Sequence, residues 1–165
     1  PNYLLVICSF IFSLAALTVP AQSPRPLSAP DLDLWAAGDV HAMAPTPDGG
    51  MVIAGYFTQV RGVRRNGLAK LNAEGNVDLS WNPIIGGPSY RQVYALAVTP
   101  DGTTFVAGFF DTVNGLARMG LFKLNASGDL DTQWNPQASG GYVTTVELVG
   151  NELVADRNRD IIPIV

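Results

Sequence analysis

The segment HAMAPTPDGGMVIAGYFTQVRGVRRNGLAKLNAEGNVDLSWNP, starting at His41, returns as YALAVTPDGTTFVAGFFDTVNGLARMGLFKLNASGDLDTQWNP, starting at Tyr94. The offset of 53 residues, His41 onto Tyr94, runs without a gap through Pro47 on Pro100, Gly55 on Gly108 and Trp81 on Trp134. About half of the aligned positions are identical, which only duplication produces over such a length. A repeat of this size is one supersecondary unit that cannot bury its own faces and must stack on neighbours. A third unit opens at Val143, where VTTVELV resembles VYALAVT from Val93 and Leu153-Val154-Ala155 matches Phe105-Val106-Ala107. After Ala155 the repeat predicts a glycine and an aromatic, and the chain instead reads Asp156-Arg157-Asn158-Arg159-Asp160. Upstream, Leu32-Asp33-Leu34-Trp35 reads as the worn tail of an earlier unit, comparable to Val77-Asp78-Leu79-Ser80-Trp81.

Each unit reads as strands and turns. Residues 40–46 and 93–99 carry apolar residues suited to a buried strand. Pro47-Asp48-Gly49 and Pro100-Asp101-Gly102 are turn chemistry: Pro fixes φ, Asp bonds nearby backbone and Gly takes positive φ. Residues 51–57 and 104–110 are the return strands of a hairpin. Gly55 and Gly108 lie inside those strands and predict a bulge or a close backbone approach. Residues 68–72 and 121–125 form a third strand, the Asn72 to Gly75 and Asn125 to Gly128 segments turn the chain again, and short fourth strands end at Trp81-Asn82-Pro83 and Trp134-Asn135-Pro136. Four short strands per unit of this length predict an all-β fold of tandem four-stranded antiparallel blades, a partial β-propeller. Composition agrees: hydrophobic residues are 47% and charged residues 15% of 165, with 17 Gly and 12 Pro, which suits many turns rather than disorder or long helices.

The motifs V-x-A-[LM]-A-x-x-P-D-G, [VI]-A-G-x-F-x-x-V-x-G and G-L-x-[KR]-L-N-x-x-G-x-x-D-x-x-[FW]-N-P occur in order over residues 40–83 and 93–136, and in part over 143–155. At these residues the chain resembles the bacterial delta-60 repeat family of β-propeller proteins. The resemblance implies an exported bacterial protein with a propeller-like array, and it implies no catalytic residues.

The N-terminal residues predict export. Residues 4–19 (LLVICSFIFSLAALTV) are apolar and uncharged, and Val19-Pro20-Ala21 is a small-residue cleavage pattern. The run is slightly short for a membrane span, so no membrane insertion is expected after signal removal, and secretion or display at the cell surface is. The chain opens Pro1-Asn2-Tyr3 instead of with the Met and positive charge of such a signal, so a longer natural start is expected. The expected organisation is signal peptide 1–21, linker and tail of a preceding unit 22–38, first blade 39–91, second blade 92–142 and an incomplete third repeat 143–165. Fewer than three units follow the signal, and closed propellers commonly use four to eight blades, so further blades or copies are expected to close a ring.

Few residues offer chemistry. Cys8 is the one cysteine and lies within the apolar run, which leaves the mature chain without disulfide or thiol chemistry. His41 is the one histidine, and its repeat partner is Tyr94, so it reads as a packed or half-exposed strand residue; zinc sites of the usual His/Cys type are excluded by count. The carboxylates Asp48/Asp101 and Asp78/Asp131 recur in both units, as turn residues do, while Glu74, Asp111, Glu147 and Glu152 are unrepeated and nothing in their spacing brings them together. Asn125-Ala126-Ser127 fits a glycosylation pattern that its repeat counterpart Asn72-Ala73-Glu74 lacks. Arg61, Arg64 and Arg65 form the only basic cluster and read as a solvated loop. With a net charge of −4 and a pI near 4.7, the chain has no electrostatic footprint for nucleic acid or anionic lipid. The aromatics Tyr56/Phe109, Phe57/Phe110 and Trp81/Trp134 recur in register and read as core between blades, with any exposed subset free to stack on sugars. No catalytic, cofactor-binding or metal-binding residue is assigned. The expected function is non-catalytic binding or scaffolding, with an unknown protein or carbohydrate as partner. The alternatives are a fragment of a propeller enzyme, lactonase- or glycosidase-like, whose site lies outside this chain, and a purely structural array. Unrepeated polar residues converging on one face would mark the enzyme.

Overall fold

Each Pro-Asp-Gly turn folds its strand back on the next. The computed structural model of the chain describes residues 38–136, 142–150, 152–156 and 160–163. The apolar run at 4–19, the cleavage pattern, Cys8, the linker and the Leu32 to Trp35 segment lie outside them.

In the first unit β1 (Asp39–Pro45) pairs antiparallel with β2 (Met51–Tyr56). A small hairpin follows, β3 (Gln59–Val60) on β4 (Val63–Arg64), and then β5 (Leu68–Leu71) returns to β2, giving the sheet order β1-β2-β5. The linker contributes β6 (Ile85–Gly86). The second unit repeats the pattern with β7 (Gln92–Val98), β8 (Thr104–Phe109), β9 (Thr112–Val113), β10 (Leu116–Ala117) and β11 (Leu121–Leu124), in the sheet order β11-β8-β7. A third sheet joins β12 (Thr145–Val149), β13 (Glu152–Asp156) and β14 (Asp160–Pro163). Every element among the described residues is a strand, so none is a helix long and apolar enough to cross a membrane.

The fourth strand of each blade contracts to a single bridge, Leu71 to Val77 and Leu124 to Leu130. The cause is the aspartate that follows. Asp78 Oδ1 accepts from Ser80 N at 3.0 Å and from Trp81 N at 3.3 Å, and Asp131 Oδ1 accepts from Gln133 N at 2.9 Å and Trp134 N at 3.1 Å. A side chain that takes the backbone donors two and three residues on makes a turn, not a ladder. The chain leaves the sheet, and the tryptophan that follows is buried.

Sequence reading missed the small hairpins, although Val113-Asn114-Gly115-Leu116 carries the strongest short hairpin signal, Asn-Gly. Both loops have two residues at positive φ, Asn114 at 51° with Gly115 at 78° and Arg61 at 50° with Gly62 at 76°, the signs of a type I′ turn. Asn tolerates that region and Arg does not. Asn114 also fixes the linker: its N donates to Ile84 O, and Ile84 N donates to its Oδ1, both at 2.8 Å. This lets β6 pair with β9, Ile85 on Val113 and Gly86 on Thr112. Arg61→Asn is expected to stabilise the chain by up to about 1 kcal/mol, read as a rise in the urea midpoint with unchanged slope.

The first strands of successive units lie side by side, β1 beside β7 and β7 beside β12, so each sheet packs face to face on the next. Val52, Ala54, Leu68 and Trp81 of the first unit meet Val106, Phe110, Val113, Phe122 and Leu124 of the second. Ala97, Phe105, Ala107, Leu121 and Trp134 meet Val143, Val146, Leu153 and Ala155 of the third sheet. Burying each large apolar side chain contributes roughly 1.5–3 kcal/mol, so the two clusters shared between units contribute substantially to the stability. A third cluster, Ile53, Phe57, Val60, Ala69 and Leu71, occupies the positions that in the second unit are Val106, Phe110, Val113, Phe122 and Leu124. The first unit therefore carries the same apolar face by which the second packs on its predecessor. This is an all-β array of propeller-type blades.

Candidate binding face

Both predicted glycine approaches are present. A Cβ on Gly55 would meet Asp39 O at 1.9 Å, and one on Gly108 would meet Gln92 O at 2.2 Å. At each site the first strand carries one extra residue: Val40 pairs with Gly55 and Ala42 with Ala54, and likewise Val93 with Gly108 and Ala95 with Ala107. The residues left unpaired are His41 and Tyr94. A bulge re-aims its extra side chain, and here two successive bulges bring the rings together, stacked at 5.8 Å and 26°. His41 Nδ1 donates to Val93 O at 2.9 Å. The single histidine is thus an exposed strand residue tied to the neighbouring blade.

The bulges lie at the end of the blades opposite the Pro-Asp-Gly turns, where Asp39 pairs with Tyr56 and Gln92 with Phe109. More aromatics gather there. Arg91 N donates to Pro88 O at 3.0 Å, and the turn this closes presents Tyr90. Val143 N donates to Gly108 O at 3.1 Å, which sets Tyr142 beside Phe109. Tyr90 stacks on Phe109 at 5.3 Å and 12°, and Tyr142 meets Phe109 edge-on at 6.3 Å and 66°. Tyr90 is 62% exposed and Tyr142 40%. Phe109 follows the repeat, with Tyr56 in its place in the first unit, whereas Tyr90 and Tyr142 break it: Ala37 stands where Tyr90 stands one unit later, and Gln92 where Tyr142 does. Tyr90 and Tyr142 carry no signal in the sequence, since neither has an aromatic at the matching position of the preceding unit. The other recurring aromatics, Phe57, Phe110, Trp81 and Trp134, are buried between or within the sheets as expected.

The recurring carboxylates are turn residues. Asp48 Oδ1 takes the Thr46 hydroxyl and Gly50 N, and its other oxygen takes Lys70 Nζ at 2.6 Å. In the second unit Thr103 replaces Gly50, and its hydroxyl occupies Asp101 Oδ2 at 3.2 Å. Lys123 turns instead to Asp131 at 2.8 Å and lies 5.6 Å from the Trp134 ring centre. The two lysines hold the same strand position and differ in the carboxylate they pair with. The Lys70 ammonium and the Thr46 hydroxyl hold Asp48 at a pKa of about 2. The Ser80 hydroxyl lowers Asp78, the Thr99 hydroxyl lowers Asp101 and Lys123 lowers Asp131.

A carboxylate depressed on folding stabilises the fold above its unfolded pKa, near 3.9, and ceases to do so as pH falls through its folded value. The stability of the parent chain should exceed that of Asp48→Asn above about pH 4 and converge with it near pH 2. Because Asp48 is largely exposed, the gap should stay below about 1 kcal/mol. Melting temperatures of the two chains between pH 2 and 6 check this.

Other sequence candidates do not converge. Asp111 lies against Gly87, Glu147 and Glu152 sit on β12 and β13, and among the described residues no group of three His, Cys, Asp or Glu could hold a metal. Asn125 Oδ1 accepts from Asp129 N at 2.8 Å within its turn. Between the two Pro-Asp-Gly turns a cleft of about 100 Å³ is lined by Asp48, Lys70, Trp81 and Asp101, room for only a few waters.

Arg65 departs from the solvated loop expected of its cluster. It and its counterpart Arg118 are each only 5% exposed. Arg65 donates to Arg64 O at 2.8 Å and Asp78 O at 2.9 Å; Arg118 donates to Ala117 O at 2.8 Å, Asp131 O at 3.2 Å and Thr132 O at 3.1 Å. Each guanidinium clamps the aspartate turn that positions the tryptophan. The signal was legible, since Arg65 recurs at Arg118 whereas Arg61 and Arg64 do not recur as arginine.

Residues 46–80 and 99–133 each match the profile of a family described as a β-propeller domain of unknown function (DUF5122). No curated protein and no solved structure matches the chain.

Proposed function

We propose that the chain is an exported, non-catalytic β-propeller repeat protein of the bacterial delta-60 type that acts in binding or scaffolding. The observation that carries this is the ring cluster in which the exposed Tyr90 and Tyr142 lie against half-buried Phe109. Exposed apolar groups rimmed by polar residues mark interaction sites, and the two exposed rings, Tyr90 and Tyr142, are ones the repeat does not carry. The recurring carboxylates support it too, since each is engaged in turn hydrogen bonds. Export rests on the apolar run and cleavage pattern of the N-terminal residues.

The test is a paired assay on the full chain. Lactone and aryl-glycoside substrates are offered for hydrolysis, and glycan and peptide arrays are probed with the parent chain and the Tyr90→Ala/Tyr142→Ala double variant. Array binding that is lost in the variant, without turnover of any substrate, is the expected result. Turnover by the parent chain, or array binding indifferent to the two tyrosines, would overturn the proposal.

A further inference from the structure

We infer that the Tyr90–Phe109–Tyr142 cluster is a subsite for a neutral carbohydrate chain, an inference that rests on the binding reading above. The geometry is that of an open corner. Tyr90 lies parallel to Phe109 at 12°, so one ring face is spent on Phe109 and the other is offered outward; Tyr142 stands at 66° to Phe109 and forms a second wall. A pyranose ring has a flat face of C–H groups that packs on an aromatic face, and an edge of hydroxyls that must be hydrogen-bonded. The corner supplies both. Tyrosine is apolar in the body and polar at the tip.

Size and charge decide against the other occupants. An aromatic side chain covers about 150–250 Å² when fully buried, so three part-exposed rings present a few hundred Å² at most. A stable protein interface buries roughly 800 Å² per partner. The cluster is therefore the right size for a few sugar units and too small for a folded protein. A sulfated or uronic acid polymer needs a cationic track, and the chain has a net charge of −4 with its Lys and Arg residues scattered.

Affinity electrophoresis of the full chain through gels containing a soluble β-glucan, a mannan or a xylan tests the inference. At least one neutral polymer should retard the chain, and heparin should not. Tyr90→Ala and Tyr142→Ala should each weaken binding about tenfold, while Tyr90→Phe should retain most of it. Both tyrosines are exposed, so the variants should fold, which circular dichroism verifies. Retardation by no neutral polymer, or retardation that survives both alanine variants, overturns the inference. If the polymers fail while an immobilised peptide library captures the chain through the same tyrosines, the carbohydrate inference falls and the binding reading stands. If neither binds, both fall.

Discussion

Trp81→Ala is expected to destabilise the chain by about 3–5 kcal/mol and to split its unfolding into steps. Trp81 is 1% exposed and belongs to the first unit, yet it packs in the cluster shared with the second. Its indole lies against Gly128, where an added Cβ would come within 2.6 Å of the ring. In a stacked array, stability is a sum of unit terms and nearest-neighbour terms. Removing the indole removes most of one neighbour term, so the units should lose cooperativity as well as stability. The expected signature is a lower urea midpoint together with a shallower or biphasic transition.

Gly128 makes the test sharper. It has φ of +90°, so Gly128→Ala carries backbone strain of about 1–2 kcal/mol in addition to the collision with Trp81. In the Trp81→Ala background only the strain should remain. The double-mutant cycle should therefore show a coupling of about 1–3 kcal/mol. Strict additivity would mean that the indole does not rest on this glycine.

The repeat made the large strands legible, because a single alignment located the turns, the glycine approaches and the buried tryptophans in two units at once. It also hid things. An alignment of units speaks for residues that recur and is silent on Tyr90 and Tyr142, which have no aromatic counterpart. The hairpins at Arg61-Gly62 and Asn114-Gly115 are only two residues per strand, too short for an alternating pattern to register, and only the second carries a strong turn dipeptide, Asn-Gly. The fourth strands were over-read for a different reason: Val77 to Trp81 alternates like a strand, but Asp78 takes the backbone donors of Ser80 and Trp81 and ends the ladder. Burial of Arg65 follows from carbonyl acceptors thirteen residues away in sequence, which no local pattern announces, though its recurrence as Arg118 does.

Gly108→Ala should be far more damaging than the same change at the turn glycine Gly115. The added methyl would meet Gln92 O at 2.2 Å, Val93 Cα at 2.9 Å and Phe110 Cε1 at 3.0 Å. Two of these are backbone atoms of β7, and β7 is held there by its pairing with β8 on both sides of the bulge. The backbone can yield only by opening the bulge, which withdraws Tyr94 from its stack on His41 and shifts Phe109, the ring on which both Tyr90 and Tyr142 rest. Overpacking at a yielding site costs about 1–3 kcal/mol; here, against backbone, more than about 3 kcal/mol is expected. Gly115→Ala is the control. Its φ is +78°, but nothing lies within 4 Å of its Cβ position, so only the strain of about 1–2 kcal/mol applies. Urea midpoints of the two variants separate collision from strain. A proton spectrum of His41 should move in Gly108→Ala and stay unchanged in Gly115→Ala, because only the first disturbs the bulge. Equal costs in the two variants would show that positive φ alone governs these glycines. A large cost at Gly108 with an unmoved His41 signal would show that the bulge does not place the aromatic end of the blades.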